Sequence, residues 1–186
     1  MQPMKYLIVL FGFMFLVSSC GEDVIVKPKA LLHLQYPEPV YRTIDLGCPF
    51  SFELNAHANV TKRENCWINL VYPNMKATVH LTYREVTNNL DSLLFDAQKL
   101  TYDHSIKASG IFEQPGVDSI NDVYGMLYMI GGNAATSTQF YVTDSVRHFI
   151  TGSLYFKSRP NFDSILPAIA YLRDDIRVIM ESIEWK

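Results

Sequence analysis

Asp144, Ser145 and His148 lie within five positions of one another and have the residue types of a nucleophilic centre. A serine activated by a histidine, itself oriented by a carboxylate, is a common way to make a hydroxyl attack a carbonyl carbon. The spacing opposes that chemistry. On a strand, Ser145 and His148 point to opposite faces, so contact between them requires a sharp bend. Asp and Ser are also what a hairpin turn selects, because their side chains bond nearby backbone. The histidines His33, His57, His80, His104 and His148 show no HxH or HxxxH spacing, and no cysteines are spaced CxxC. The expectation is a protein that is not an enzyme, with no catalytic residue, no metal ligand set and no cofactor.

Cysteine chemistry is more informative. Cys20 sits in "MFLVSSCGED", where an apolar run stops at two serines and charged residues begin. Upstream are one early charge, Lys5, and the thirteen-residue stretch Tyr6–Ser18. That is too short for a bilayer core, which needs about 20 apolar helical residues. A basic start, a short apolar core and small residues form an export signal. The end Val17-Ser18-Ser19-Cys20 resembles the lipobox of bacterial lipoproteins, in which the cysteine thiol receives a diacylglycerol and becomes the first residue. Cys20 is therefore expected to carry the lipid, with residues 1–19 removed. The lipid implies an envelope compartment where disulfides persist. Cys48 and Cys66 remain, and they are either bridged or two small buried thiols. A bridge would contribute about 3 kcal/mol by closing a short loop. Each cysteine opens a strand-like segment, and in a simple hairpin those starts would lie roughly 20 Å apart.

These groups must be held by a body of 167 residues, Cys20–Lys186, of one-domain size. Without Lys5 its formal charge is −4 rather than −3, so it lacks the basic footprint of a nucleic-acid binder. Residues 20–40 contain Pro28, Pro37 and Pro39 and read as a lipidated N-terminus with a semi-extended tether. Strands are expected at 41–46, 49–55 and 66–72. In "KATVHLTYRE", Ala77, Val79, Leu81 and Tyr83 share one face, the strict alternation of a half-buried strand. The period then changes. Leu90, Leu93, Leu94, Ala97 and Leu100 form a helical stripe, with N-cap candidates at Thr87–Asn89. Residues 108–114 form a modest strand, and "QPGVDSIND" reads as a loop. "VYGMLYMI", "TQFYVT" and "RHFITGSLYFK" make a three-stranded meander turning at Asp144-Ser145. Gly125 and Gly152 inside those strands signal bulges or a close approach. A last helix follows Pro160, capped at Ser164 with Pro167 in its first turn, burying Ile165, Ile169, Leu172, Ile176, Ile179 and Ile183. Asp174-Asp175 reads as its solvated face.

Strands, helix, strands, helix without regular alternation is an α+β pattern. The expected domain, residues 41–186, is a mostly antiparallel sheet with helices packed on its faces. The order of elements resembles the α-β-α sandwich of Mog1 and PsbP-type proteins.

The segments "VYGMLYMIGGNAATSTQFYVTDSVRHFITGSLYFKSRPNFDSILPAIAYLRDDIRVIMESIEWK" and "ATVHLTYREVTNNLDSLLFDAQKLTYDHSIKA" closely resemble the gliding-motility lipoprotein family GldD. With the lipobox, the resemblance covers nearly the whole mature chain. It implies a small envelope lipoprotein, an accessory of the gliding machinery and the associated type IX secretion apparatus, with protein components of that machinery as partners. No catalytic residues come with it. Gly21 behind Cys20 is not the aspartate of inner-membrane retention, so an outer-membrane anchor facing the periplasm is expected. The alternative is an envelope lipoprotein that binds a small ligand or glycan. The candidate partner surface is the pair of loops flanking the meander, with Asn133, Gln139, Thr143, Asp144 and His148, because loops held on a rigid sheet commonly carry recognition.

Overall fold

Alternation in "ATVHLTYRE" has the expected result: Ala77, Val79 and Leu81 are buried on one face of a strand that runs Ala77–Glu85. The computed structural model describes residues 34–103, 107–157 and 161–186. Residues 1–33, with the expected signal and Cys20, lie outside the described residues, as do His33, His104 and Pro160. In chain order the elements are β1 (Tyr41–Ile44), β2 (Phe50–Asn55), β3 (Asn59–Lys62), β4 (Ile68–Tyr72), β5 (Ala77–Glu85) and α1 (Leu90–Asp103). They continue as β6 (Ala108–Asp118), β7 (Val123–Gly132), β8 (Thr138–Thr143), β9 (His148–Phe156), α2 (Phe162–Glu181) and β10 (Glu184–Trp185).

Seven strands form one antiparallel sheet in the order β3-β4-β5-β9-β8-β7-β6. The other three, β1-β2-β10, form a small antiparallel sheet. β9 shows how the layers are divided. Ile150 belongs to the core that takes Leu172, Ile176 and Ile179 from α2. Its neighbour Phe149 faces the other way and packs with Leu93 and Ala97 of α1. Helices therefore cover both faces, as an α+β sheet with apolar residues on both sides requires. Each of the three α2 side chains is at most 1 % exposed, and full burial of each contributes about 1.5–3 kcal/mol.

Four sequence expectations change. β6 runs to Asp118, through the expected loop at Pro115-Gly116. It is an edge strand, where a missing N–H facing away from the ladder is tolerated. β3 was not expected, and it forms a hairpin with β4. α2 starts at Phe162, with Asn161 rather than Ser164 at the N-cap position, so Pro167 lies inside the helix. Asp175 is not on a solvated face. It is 2 % exposed, because the β1–β2 pair covers that side of α2.

Gly152 and Gly125 mark close approaches from neighbouring strands. A Cβ on Gly152 would overlap the Phe140 ring, and one on Gly125 would overlap the Tyr141 carbonyl and Val142. Residues at the end of the expected tether lie against the domain. Tyr36 packs on Tyr171 with ring centroids 5.2 Å apart, the Tyr171 hydroxyl donates to the Pro37 carbonyl at 2.9 Å, and Val40 pairs with Ala56.

Candidate functional site

Two turns at the same end of the sheet are built alike. In the β6–β7 turn, Asp118 Oδ1 accepts from the Ile120 and Asn121 backbone N–H groups at 2.9 and 3.3 Å. In the β8–β9 turn, Asp144 Oδ1 accepts from Val146, Arg147 and His148 N–H at 3.0, 2.8 and 2.8 Å. Each aspartate thus closes its own turn, and the residue two places on is a β-branched aliphatic held outward. Ile120 is 91 % exposed and Val146 69 %. Turn chemistry needs the aspartates. It does not need the aliphatics.

Hydrogen bonding fixes the ionisation of both aspartates. The Asn121 side chain and then the two backbone donors hold the Asp118 carboxyl below the usual carboxylate range. Burial pushes Asp144 up, but three backbone donors outweigh it and leave the carboxyl lowered.

Between the tips lies an open depression of about 890 Å³, lined by Ile120, Asp122, Asp144, Val146, Arg147 and Trp185 among others. Its base is rigid. Trp185 stacks on His148 with centroids 5.2 Å apart and planes 12° apart, and its Nε1 donates to the Asp122 carbonyl at 3.1 Å. His148 Nδ1 and the Tyr83 hydroxyl share a 2.9 Å hydrogen bond, and Phe50 packs on both Tyr83 and Trp185. Burial lowers the His148 pKa from its ordinary value, so the ring is neutral near pH 7.

The five residues singled out from sequence are split by the structure. Asn133 is at the other end of the meander, where its Oδ1 accepts from the Phe162 N–H at 3.0 Å and fixes the start of α2. Gln139 is buried in β8, accepting from Thr101 Oγ1 at 2.8 Å. Thr143 is buried, donating to the His148 carbonyl at 2.6 Å. His148 is also buried, which leaves Asp144 as the member that reaches the depression. Of the five, Asn133 and Asp144 are the ones that are not buried. Ile120 and Val146 are exposed at the turn tips, and polarity-guided reading passed over them. A signal existed: both tips read Asp-Ser followed by Ile or Val. The same triplet at Asp163-Ser164-Ile165 opens a helix, so only the strand context singles it out.

Ser145 does not meet His148 as a nucleophile would. Its N–H donates to Thr143 Oγ1, and the His148 Nδ1 is engaged with Tyr83. Among the described residues no group of three or more His, Cys, Asp or Glu side chains could hold a metal.

A second concavity, about 370 Å³, lies between β6 and α2. Its floor is Leu127, Val123 and Val142, with Met180 opposite Gly116. Arg177 at its rim is engaged, through Nη1 with Asp174 at 2.7 Å and through Nη2 with Gln114 at 3.3 Å.

Cys48 and Cys66 form a disulfide with Cα atoms 5.8 Å apart. The hairpin objection does not arise, since β2 and β4 do not pair with each other. Asn65 and Cys66 both have left-handed backbone, at φ 55° and 56°.

A family model described as gliding motility lipoprotein GldD matches residues 21–185. No curated protein matches the chain. Among solved structures, the cyanobacterial PsbP (CyanoP) of Synechocystis is similar at 10 % identity and a TM-score of 0.48, over 91 % of this chain and 99 % of that one.

Proposed function

The chain belongs to the gliding motility lipoprotein GldD family, and from that premise we propose that it is a non-enzymatic, lipid-anchored accessory of the gliding and type IX secretion machinery. Acylated Cys20 holds it to the outer membrane on the periplasmic side, and residues 41–186 act as one folded module. Its contribution is placement: a tethered module meets its partners at an effective concentration far above its average one. The observation that carries this reading is the family match across residues 21–185. The preorganised apolar turn tips support a protein-docking role, because ordered contact groups lose little entropy on binding.

The ligand-binding alternative would use the groove between β6 and α2. It ranks second, because Arg177 is already satisfied by Asp174 and Gln114 rather than turned toward the cavity.

Crosslinking in the native cell, followed by identification of the captured proteins, tests the proposal. Capture of a motility or secretion component is expected. Capture of abundant porins alone contradicts it.

A further inference from the structure

The two turn tips and the depression between them form one surface. Two large aliphatics, Ile120 and Val146, are exposed on turns locked by their own aspartates. Single exposed aliphatics are ordinary, but two held outward on preorganised turns that flank one depression point to a contact site. The charges are one-sided. Asp122, Asp144 and Glu184 line the depression against the single cation Arg147. Lys186 adds nothing there, since its Nζ is paired with Asp45 at 2.6 Å.

The charge selects among occupants. An anionic lipid surface would be repelled by the carboxylates, and so would a second copy presenting the same acidic patch. A protein segment with an apolar side chain flanked by lysine or arginine satisfies both features. We propose that the β6–β7 and β8–β9 turn tips, with Trp185 between them, dock a basic, apolar-centred segment of a partner protein. The inference rests on the accessory-protein reading and supplies the surface it lacks. The rings of Trp185, His148, Tyr83 and Phe50 beneath it make a stiff platform, so binding needs little rearrangement.

The test places a photoreactive benzoyl-phenylalanine at position 120 or 146 of the full chain in its native cell, with position 95 on α1, also exposed, as the control. Both tip positions should give an adduct to the same envelope protein, mapped to a stretch containing lysine or arginine. Glu184→Lys should lower that adduct at least threefold, whereas Arg147→Glu should not, with circular dichroism checking that each variant folds. Adducts to lipid, to a second copy of this chain or to an acidic segment overturn the proposal. So does insensitivity to Glu184→Lys, or no adduct from either tip. If the captured protein has no part in motility or secretion, the surface stands and the accessory role falls. If a motility component is captured from position 95 alone, the reverse holds.

Discussion

Tyr41 donates a 2.7 Å hydrogen bond to Asp175, joining the first strand to the last helix across 134 positions of sequence. Asn55 Nδ2 reaches the same carboxylate at 2.9 Å and also donates to the Tyr171 hydroxyl, which holds the Pro37 carbonyl. The segment leading into β1 is thus tied to α2 through one connected polar cluster.

That cluster makes an unusual pH prediction. Burial raises the Asp175 pKa above 3.8, outweighing the hydrogen bonds from Tyr41 and Asn55 that pull it down, and neighbouring Asp174 adds to the rise. A carboxyl raised in the folded state binds its proton more tightly there than in the unfolded chain. Its contribution is therefore full at low pH and falls as pH rises from about 4 through the raised value. Melting temperatures of the native protein minus those of Asp175→Asn should decline across that window. A difference that climbs with pH contradicts the assignment. Asp175→Ala, which strands the Tyr41 and Asn55 donors, should cost about 3 kcal/mol.

His148 titrates with the opposite sign. Burial depresses its pKa below 6.5, with the Asp144 carboxylate opposing the shift, so protonation favours the unfolded chain. Stability from this group is present above pH 6.5 and is lost as pH falls below it. Trp185, stacked on the imidazole, should report the event as a fluorescence change with a midpoint under 6.5, absent in His148→Phe. A midpoint above 6.5 would show an imidazolium stabilised by Asp144 instead.

The disulfide holds a turn in which Asn65 and Cys66 are both left-handed, a conformation that costs L-residues roughly 1–2 kcal/mol each. Cys48→Ala/Cys66→Ala should lose about 3 kcal/mol. For a domain of this size that is a drop of roughly 6–12 °C in Tm, readable by thermal denaturation. Reductant should reproduce the drop in the native protein and leave the variant unchanged.

Gly152 and Phe140 face each other on paired strands, with no room for a methyl between them. Gly152→Ala should destabilise by about 1–3 kcal/mol through overpacking, and Phe140→Leu in the same chain should return part of the loss. Additive losses in the double variant would show that the two residues do not compete for space.

Periodicity made most of the framework legible. The alternation of β5, the meander strands and the α2 stripe each follow from side chains that must share one face. What escaped was set by distant neighbours. Asp175 reads as solvated until Tyr41 and Asn55 are brought over it, and nothing local announces a cover 120 positions away. Pro115-Gly116 reads as a loop because the edge position that tolerates it is a property of the sheet. Polarity alone does not separate the buried from the exposed members of the candidate partner set. Gln139, Thr143 and His148 each make a hydrogen bond inside the fold, whereas Ile120 and Val146 at the turn tips face solvent.

Placement at the membrane rests on the anchor, and intact mass spectrometry of the protein from its native membrane checks it. The proposal predicts a chain that starts at Cys20 and carries the added mass of a diacylglycerol on the sulfur. A free thiol at Cys20, or a chain that keeps residues 1–19, would contradict it.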